Sequence, residues 1–94
     1  MNEKQLRLWN KMIDLIISYY QGNIEYSRLV GELEGAKDAA ELEQKDLVEK
    51  WYDYWTPLEI RRSIEGDNVS KEDCLKELKD MENFLKKFDP KPEA

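Results

Sequence analysis

WYDYWTPLE, residues 51–59, puts four aromatics into five positions, breaks them with Asp53 and follows them with Pro57. Whether this segment is a binding surface or part of a core decides how the rest of the chain is read. At 100° per residue, Leu47, Val48, Trp51, Tyr54, Trp55 and Leu58 share one arc of roughly 120°. Trp51 and Trp55 are i, i+4 neighbours beside two leucines and a valine, the arrangement of core aromatics rather than of an aromatic ligand box. Tyr52 and Tyr54 fall at the flanks of that arc, where a ring packs while its hydroxyl reaches water. They are the candidate contact residues of this helix, and Asp53 points away.

Pro57 lacks an N–H and crowds the preceding turn. Thr56-Pro57-Leu58-Glu59 also has the form of a capping box with proline at the first helical position. Ile60 and Ile64 leave the tryptophan face there, and Arg62 enters it. The pattern predicts a helix over 43–65 with a kink near 55–57, and Arg62 pointing partly inward to pair with a carboxylate.

Working outward, the N-terminal segment places Leu6, Leu8, Trp9, Met12, Ile13, Leu15, Ile16, Ile17, Tyr19 and Tyr20 on an arc of roughly 200°. A stripe that wide covers two neighbours, or one neighbour and a subunit interface. Gly22 in Gln21-Gly22-Asn23 suits the left-handed end of this helix. A second helix, about 25–42, aligns Tyr26, Leu29, Val30, Leu33, Ala36 and Ala40, with Ile24 placed to staple onto Leu29. Its other side carries Gly31, Gly35 and Ala39. These read as small surface residues tolerated at some cost in helix stability, with close approach of another backbone as the alternative. After the turn Gly66-Asp67-Asn68, Ser70 is the expected N-cap of a last helix, about 71–88, with Glu72 and Asp73 in its first turn and Val69 stapled onto Cys74. Leu75, Leu78, Met81, Phe84, Leu85 and Phe88 form its inward stripe, and Asp89-Pro90-Lys91-Pro92 stops it. The expected architecture is all-α: a small four-helix bundle with short loops over residues 1–88, followed by a flexible tail at 89–94.

The chain has 94 residues, enough for one domain with a single core. Fifteen basic and twenty-one acidic residues give a formal charge of −6, which disfavours nucleic acid and anionic lipid and favours basic partners. A single cysteine, Cys74, excludes an intramolecular disulfide and makes a reducing cytoplasm the simplest setting. Polar residues recur at helical spacing through the first helix, so neither a signal segment nor a membrane span is expected there.

With no histidine, the chain lacks the usual general base, the Ser-His nucleophile and the His-containing zinc and di-iron ligand sets. Cys74 lies one turn into the last helix, where the dipole lowers a thiol pKa, but a small packing residue is the favoured reading. Carboxylate pairs such as Glu34/Asp38 are interspersed with lysines at solvent-facing positions, and no glycine-rich loop follows a strand. An enzyme is not expected, and neither is a cofactor or metal.

The charge pattern remains. Glu32, Glu34, Asp38, Glu41, Glu43 and Asp46 stand against Lys37 and Lys45. Such a surface steers a basic protein partner and holds it by charge-assisted bonds, the plain alternative being a solvated face. Glu32, Glu34, Asp38, Glu41, Tyr52 and Tyr54 are therefore the candidate partner-binding residues. A homodimer is the second expectation, through the helix 1 flank of Leu8, Met12, Leu15 and Tyr19 or through the Gly31/Gly35/Ala39 groove.

The segment YYQGNIEYSRLV, residues 19–30, joins an apolar helix ending in tyrosine to Gly-x-Ile and a new helix with Leu-Val. It resembles small all-helical bacterial immunity proteins of the colicin type. The spacing of Trp51, Trp55, Leu58 and Glu59 resembles that in the third helix of uncharacterised bacterial helical proteins. The resemblance covers about half the chain and implies an acidic inhibitor that plugs the basic cleft of a toxin nuclease, without assigning individual contact residues.

Overall fold

The computed structural model describes residues 1–88, and the tail expected over 89–94 lies outside the described residues. Four helices follow one another: α1 (Glu3–Tyr20), α2 (Tyr26–Ala40), α3 (Lys45–Glu65) and α4 (Lys71–Lys87), with a 3-10 turn at Gly66–Asn68 between the last two. Short loops make consecutive helices antiparallel. α1 packs on α2 and α4, and α3 packs on the same two helices, closing a four-helix bundle.

The tryptophans are core residues, and each indole N–H is used between helices. Trp9 donates to the Leu85 carbonyl of α4 at 2.8 Å, and Trp55 to the Val30 carbonyl of α2 at 3.1 Å. Trp51 points its N–H at the Met12 sulfur of α1, 3.3 Å away, and stacks on Trp55 with ring centroids 5.6 Å apart. Trp51 is fully buried, so it touches no solvent-borne ligand. Tyr26 adds a fourth tie, donating from its hydroxyl to the Leu58 carbonyl at 2.8 Å. The Val30 and Leu58 carbonyls lie inside helices and accept these bonds in addition to helical ones because each oxygen has two lone pairs, and the Leu85 carbonyl lies in the last turn of α4.

The helix ends also cap one another. Asn2 and Gln5 form a reciprocal capping box on α1. The Gln5 amide continues to the Ala40 and Glu41 carbonyls at the end of α2, at 3.0 and 3.3 Å. Glu25 gives α2 no side-chain cap. Asp67, forty residues away, supplies it by accepting the Ser27 N–H at 2.8 Å. Ser70 caps α4 as expected, accepting from the Asp73 N–H at 3.1 Å.

The single helix expected over 43–65 is found as α3, which runs through Pro57 with no new start at Thr56; Pro57 and the Asp53 whose carbonyl it leaves without an amide are both exposed to water. Other details depart from the sequence reading. Leu75 is 44% exposed, and Cys74 takes the inward position beside Val69 and Leu78. Met12, Leu15 and Tyr19, expected as an outer flank of α1, are buried in the single chain. The wide apolar arc is consumed by two neighbouring helices.

Candidate functional site

Of the predicted contact residues, only Asp38 and Tyr52 are brought together. At the α2–α3 seam, Lys37 brings Asp38 and Tyr52 together. Its ammonium lies 2.7 Å from the Asp38 carboxylate, bonds the Tyr52 hydroxyl and sits 4.4 Å from the centroid of the Tyr52 ring. The side chain is only 11% exposed. Burial pulls the Lys37 pKa down, but the bonds to Asp38 and Tyr52 outweigh it and hold the group above its ordinary value. Its place is explained by spacing: Lys37 follows Leu33 by four residues and Val30 by seven, which turns its stem inward while the charge reaches the rim.

The remaining candidates are not gathered there. Glu32 pairs with Arg28 one turn earlier on its own helix. Glu41 ends α2 in the left-handed region, φ 50° and ψ 51°, and pairs with Lys4 at 3.2 Å, so it belongs to the junction of α2 with the start of α1. Tyr54 lies on the opposite side of α3, stacked on Phe84 of α4 at 4.8 Å. It lines a groove of about 390 Å³ with Lys50, Asp53, Lys87 and Phe88. Glu34 has no ion-pair partner among the described residues.

Beside Glu34 and Asp38, the outward side of α2 presents Gly31, Gly35 and Ala39, all exposed. A Cβ added at Gly31 or Gly35 would meet nothing within 4 Å. Among the described residues no helix covers that stripe. Across the seam, α3 turns Asp46, Glu49 and Asp53 to solvent at positions i, i+3 and i+7. α2 thus sets two carboxylates beside a stripe of small residues, and α3 adds a row of acids on its outer face whose last member, Asp53, also reaches the rim of the α3–α4 groove.

Sequence reasoning missed two features of this surface. The first is Lys37, treated as one of the solvated lysines between the acids, although its register with Val30 and Leu33 marks it as a seam residue. The second is the far end of α3. Ile60 and Ile64 do leave the tryptophan face, and they are bare, at 54% and 77% exposure. Arg62 pairs with Glu59 on its own helix, whereas Arg61 reaches α4 and binds Glu77 at 2.8 Å, with Glu65 on its other nitrogen at 3.0 Å.

The chemistry of Cys74 is opposite to the dipole expectation. It is fully buried, 3.7 Å from the Tyr19 hydroxyl, and burial pushes its thiol up despite that contact. Among the described residues no group of three His, Cys, Asp or Glu side chains is disposed to hold a metal ion, and no helix is long and apolar enough to cross a membrane. Comparison with protein families, curated proteins and solved structures gave no significant match.

Proposed function

We propose that this protein is a non-enzymatic protein-binding module whose acidic α2–α3 surface engages a basic protein. The observation that carries the reading is the set of acids on the outer sides of two neighbouring helices, Glu34 and Asp38 beside the open Gly31/Gly35/Ala39 stripe of α2 and Asp46, Glu49 and Asp53 on α3, on a chain of net charge −6. Carboxylates in such a band attract a cationic surface over about a Debye length and fix its register on contact. The small residues allow the partner's backbone close to α2. The resemblance of residues 19–30 to colicin-type immunity proteins fits this reading and makes an immunity or anti-toxin role its specific form.

Charge reversal tests it. Glu34→Lys with Asp38→Lys removes one seam contact, the ion pair of Asp38 with Lys37, and leaves the apolar core untouched, because Asp38 is exposed and Glu34 only half-buried on α2. The paired variant abolishes capture of a basic partner at low salt if the reading holds. Unchanged capture with unchanged salt dependence places the contact elsewhere.

A further inference from the structure

The outer face of α3 changes character along its length. Its first half presents Asp46, Glu49 and Asp53, and its second half presents Pro57, Ile60 and Ile64, all exposed. Pro57, Ile60 and Ile64 stand at i, i+3 and i+7, one continuous ridge on a helix. Ile64 is the most exposed of the large apolar side chains. Neither isoleucine contributes to the buried core, so folding alone gives no reason for branched apolar residues at these positions.

The ridge borders a shallow groove of about 350 Å³ whose polar wall is Arg61, Glu65 and Glu77. That wall holds two carboxylates against one guanidinium. Arg61 already binds both acids, yet the second oxygen of Glu77, Oε2, has no donor among the described residues. A buried carboxylate oxygen without a donor is unfavourable. The Arg61 Nε is likewise buried without an acceptor among the described residues, so it is the wall's net negative charge, two carboxylates against one guanidinium, that favours a cationic group along the groove.

We propose that the Pro57–Ile60–Ile64 ridge anchors an amphipathic helix of a partner protein, one whose apolar stripe is bordered by lysine or arginine. The proposal deepens the protein-binding reading above and rests on it. The occupant's apolar residues cover the isoleucines, one cation faces Glu65 and Glu77, and others meet Asp53, Glu49 and Asp46 along the same face. Parallel ridges of this spacing pack helix on helix. A second copy of this chain is the poorer fit, because it brings a net charge of −6 and the same carboxylates to this face.

The test uses a synthetic leucine–lysine amphipathic helix as probe, with a serine-for-leucine version of equal charge and a glutamate-for-lysine version as controls. Amide chemical shifts of the full chain report where each binds. Three proteins are compared: wild type, Ile60→Gln with Ile64→Gln, and Glu34→Lys with Asp38→Lys. Glutamine suits a helix, and both isoleucines are exposed, so the first variant folds. The expected result is saturable binding of the leucine–lysine helix with shifts on the outer positions of residues 53–65, weakened about tenfold by the isoleucine substitutions and absent for both controls. Binding mapped to α2, lost in the Glu34/Asp38 variant and unaffected at Ile60 and Ile64, overturns the anchor while leaving the acidic-surface reading intact. Absence of binding by any basic probe overturns both. Self-association in sedimentation that the isoleucine substitutions abolish also overturns the proposal, by assigning the ridge to a second copy.

Discussion

Arg61 donates to Glu77 at 2.8 Å, tying α3 to α4 near the turn that joins them, and the same guanidinium holds Glu65 at 3.0 Å. Both partners of the interhelical bond are about three-quarters buried, at 26% and 25% side-chain exposure. Removing either group leaves the other short of a partner in a partly dry site. Arg61→Gln strands two carboxylates and is expected to cost about 2 kcal/mol, and Glu77→Gln, which leaves Glu65 on the arginine, about 1 kcal/mol. Urea denaturation of the two variants checks the order, and equal or negligible effects contradict it.

Acid should weaken the fold through the same groups. Burial pushes the Glu77 carboxyl up, but the Arg61 bond, the backbone N–H and the neighbouring positive charges together hold it below its ordinary 4.5, and the Ser27 N–H holds Asp67 below 3.8. A depressed carboxyl releases its proton more readily in the folded chain than in the unfolded one. Its stabilisation is therefore complete above the unfolded pKa and is lost as pH falls through the folded value. Unfolding free energy should be level from neutrality to about pH 5 and decline below it. In Glu77→Gln the decline is shallower; an identical slope contradicts the assignment.

Two buried tyrosines should respond differently to loss of a hydroxyl. Tyr26 donates to the Leu58 carbonyl at 2.8 Å, whereas the Tyr19 hydroxyl meets only the Cys74 sulfur, at 3.7 Å. Tyr26→Phe is expected to cost about 1 kcal/mol and Tyr19→Phe less than about 0.5 kcal/mol. Thermal or urea unfolding of the pair resolves the difference.

Gly31 and Gly35 lie within α2 with open space where a side chain would stand. Alanine at either position should stabilise the isolated protein by about 0.5–1 kcal/mol, since glycine is costly inside a helix. If a partner backbone approaches this stripe, the double alanine variant gains stability and loses affinity together. A gain in stability with full affinity assigns the stripe no contact.

One-sided helices were legible in the sequence, and shared seams were not. The six residues aligned on α2 by periodicity are its buried set, because that helix has one wet side and one dry side. On α4 the expected stripe holds at Leu78, Met81, Phe84 and Leu85, and only its first member differs: Leu75 is exposed and Cys74, beside the Val69 that precedes the Ser70 cap, is buried instead. Lys37 was misplaced, and Arg61 passed over, for a related reason. A long cation at the margin of an apolar arc can bury its stem and still reach a carboxylate, and periodicity cannot distinguish that from full exposure. The outward acids of α2 were legible because charge is additive along a face. The apolar ridge at Ile60 and Ile64 was visible only as a break in the inward pattern, since its meaning depends on no other helix covering it.

The central claim is that an acidic helical surface recognises a basic protein, and competitive capture from the native host tests it most directly. Wild type and the Glu34→Lys/Asp38→Lys variant serve as baits in parallel, washed at low and high salt. The expected result is a basic protein retained by wild type at low salt, released at high salt and missing from the variant. Retention of the same protein by both baits at both salt concentrations would contradict it.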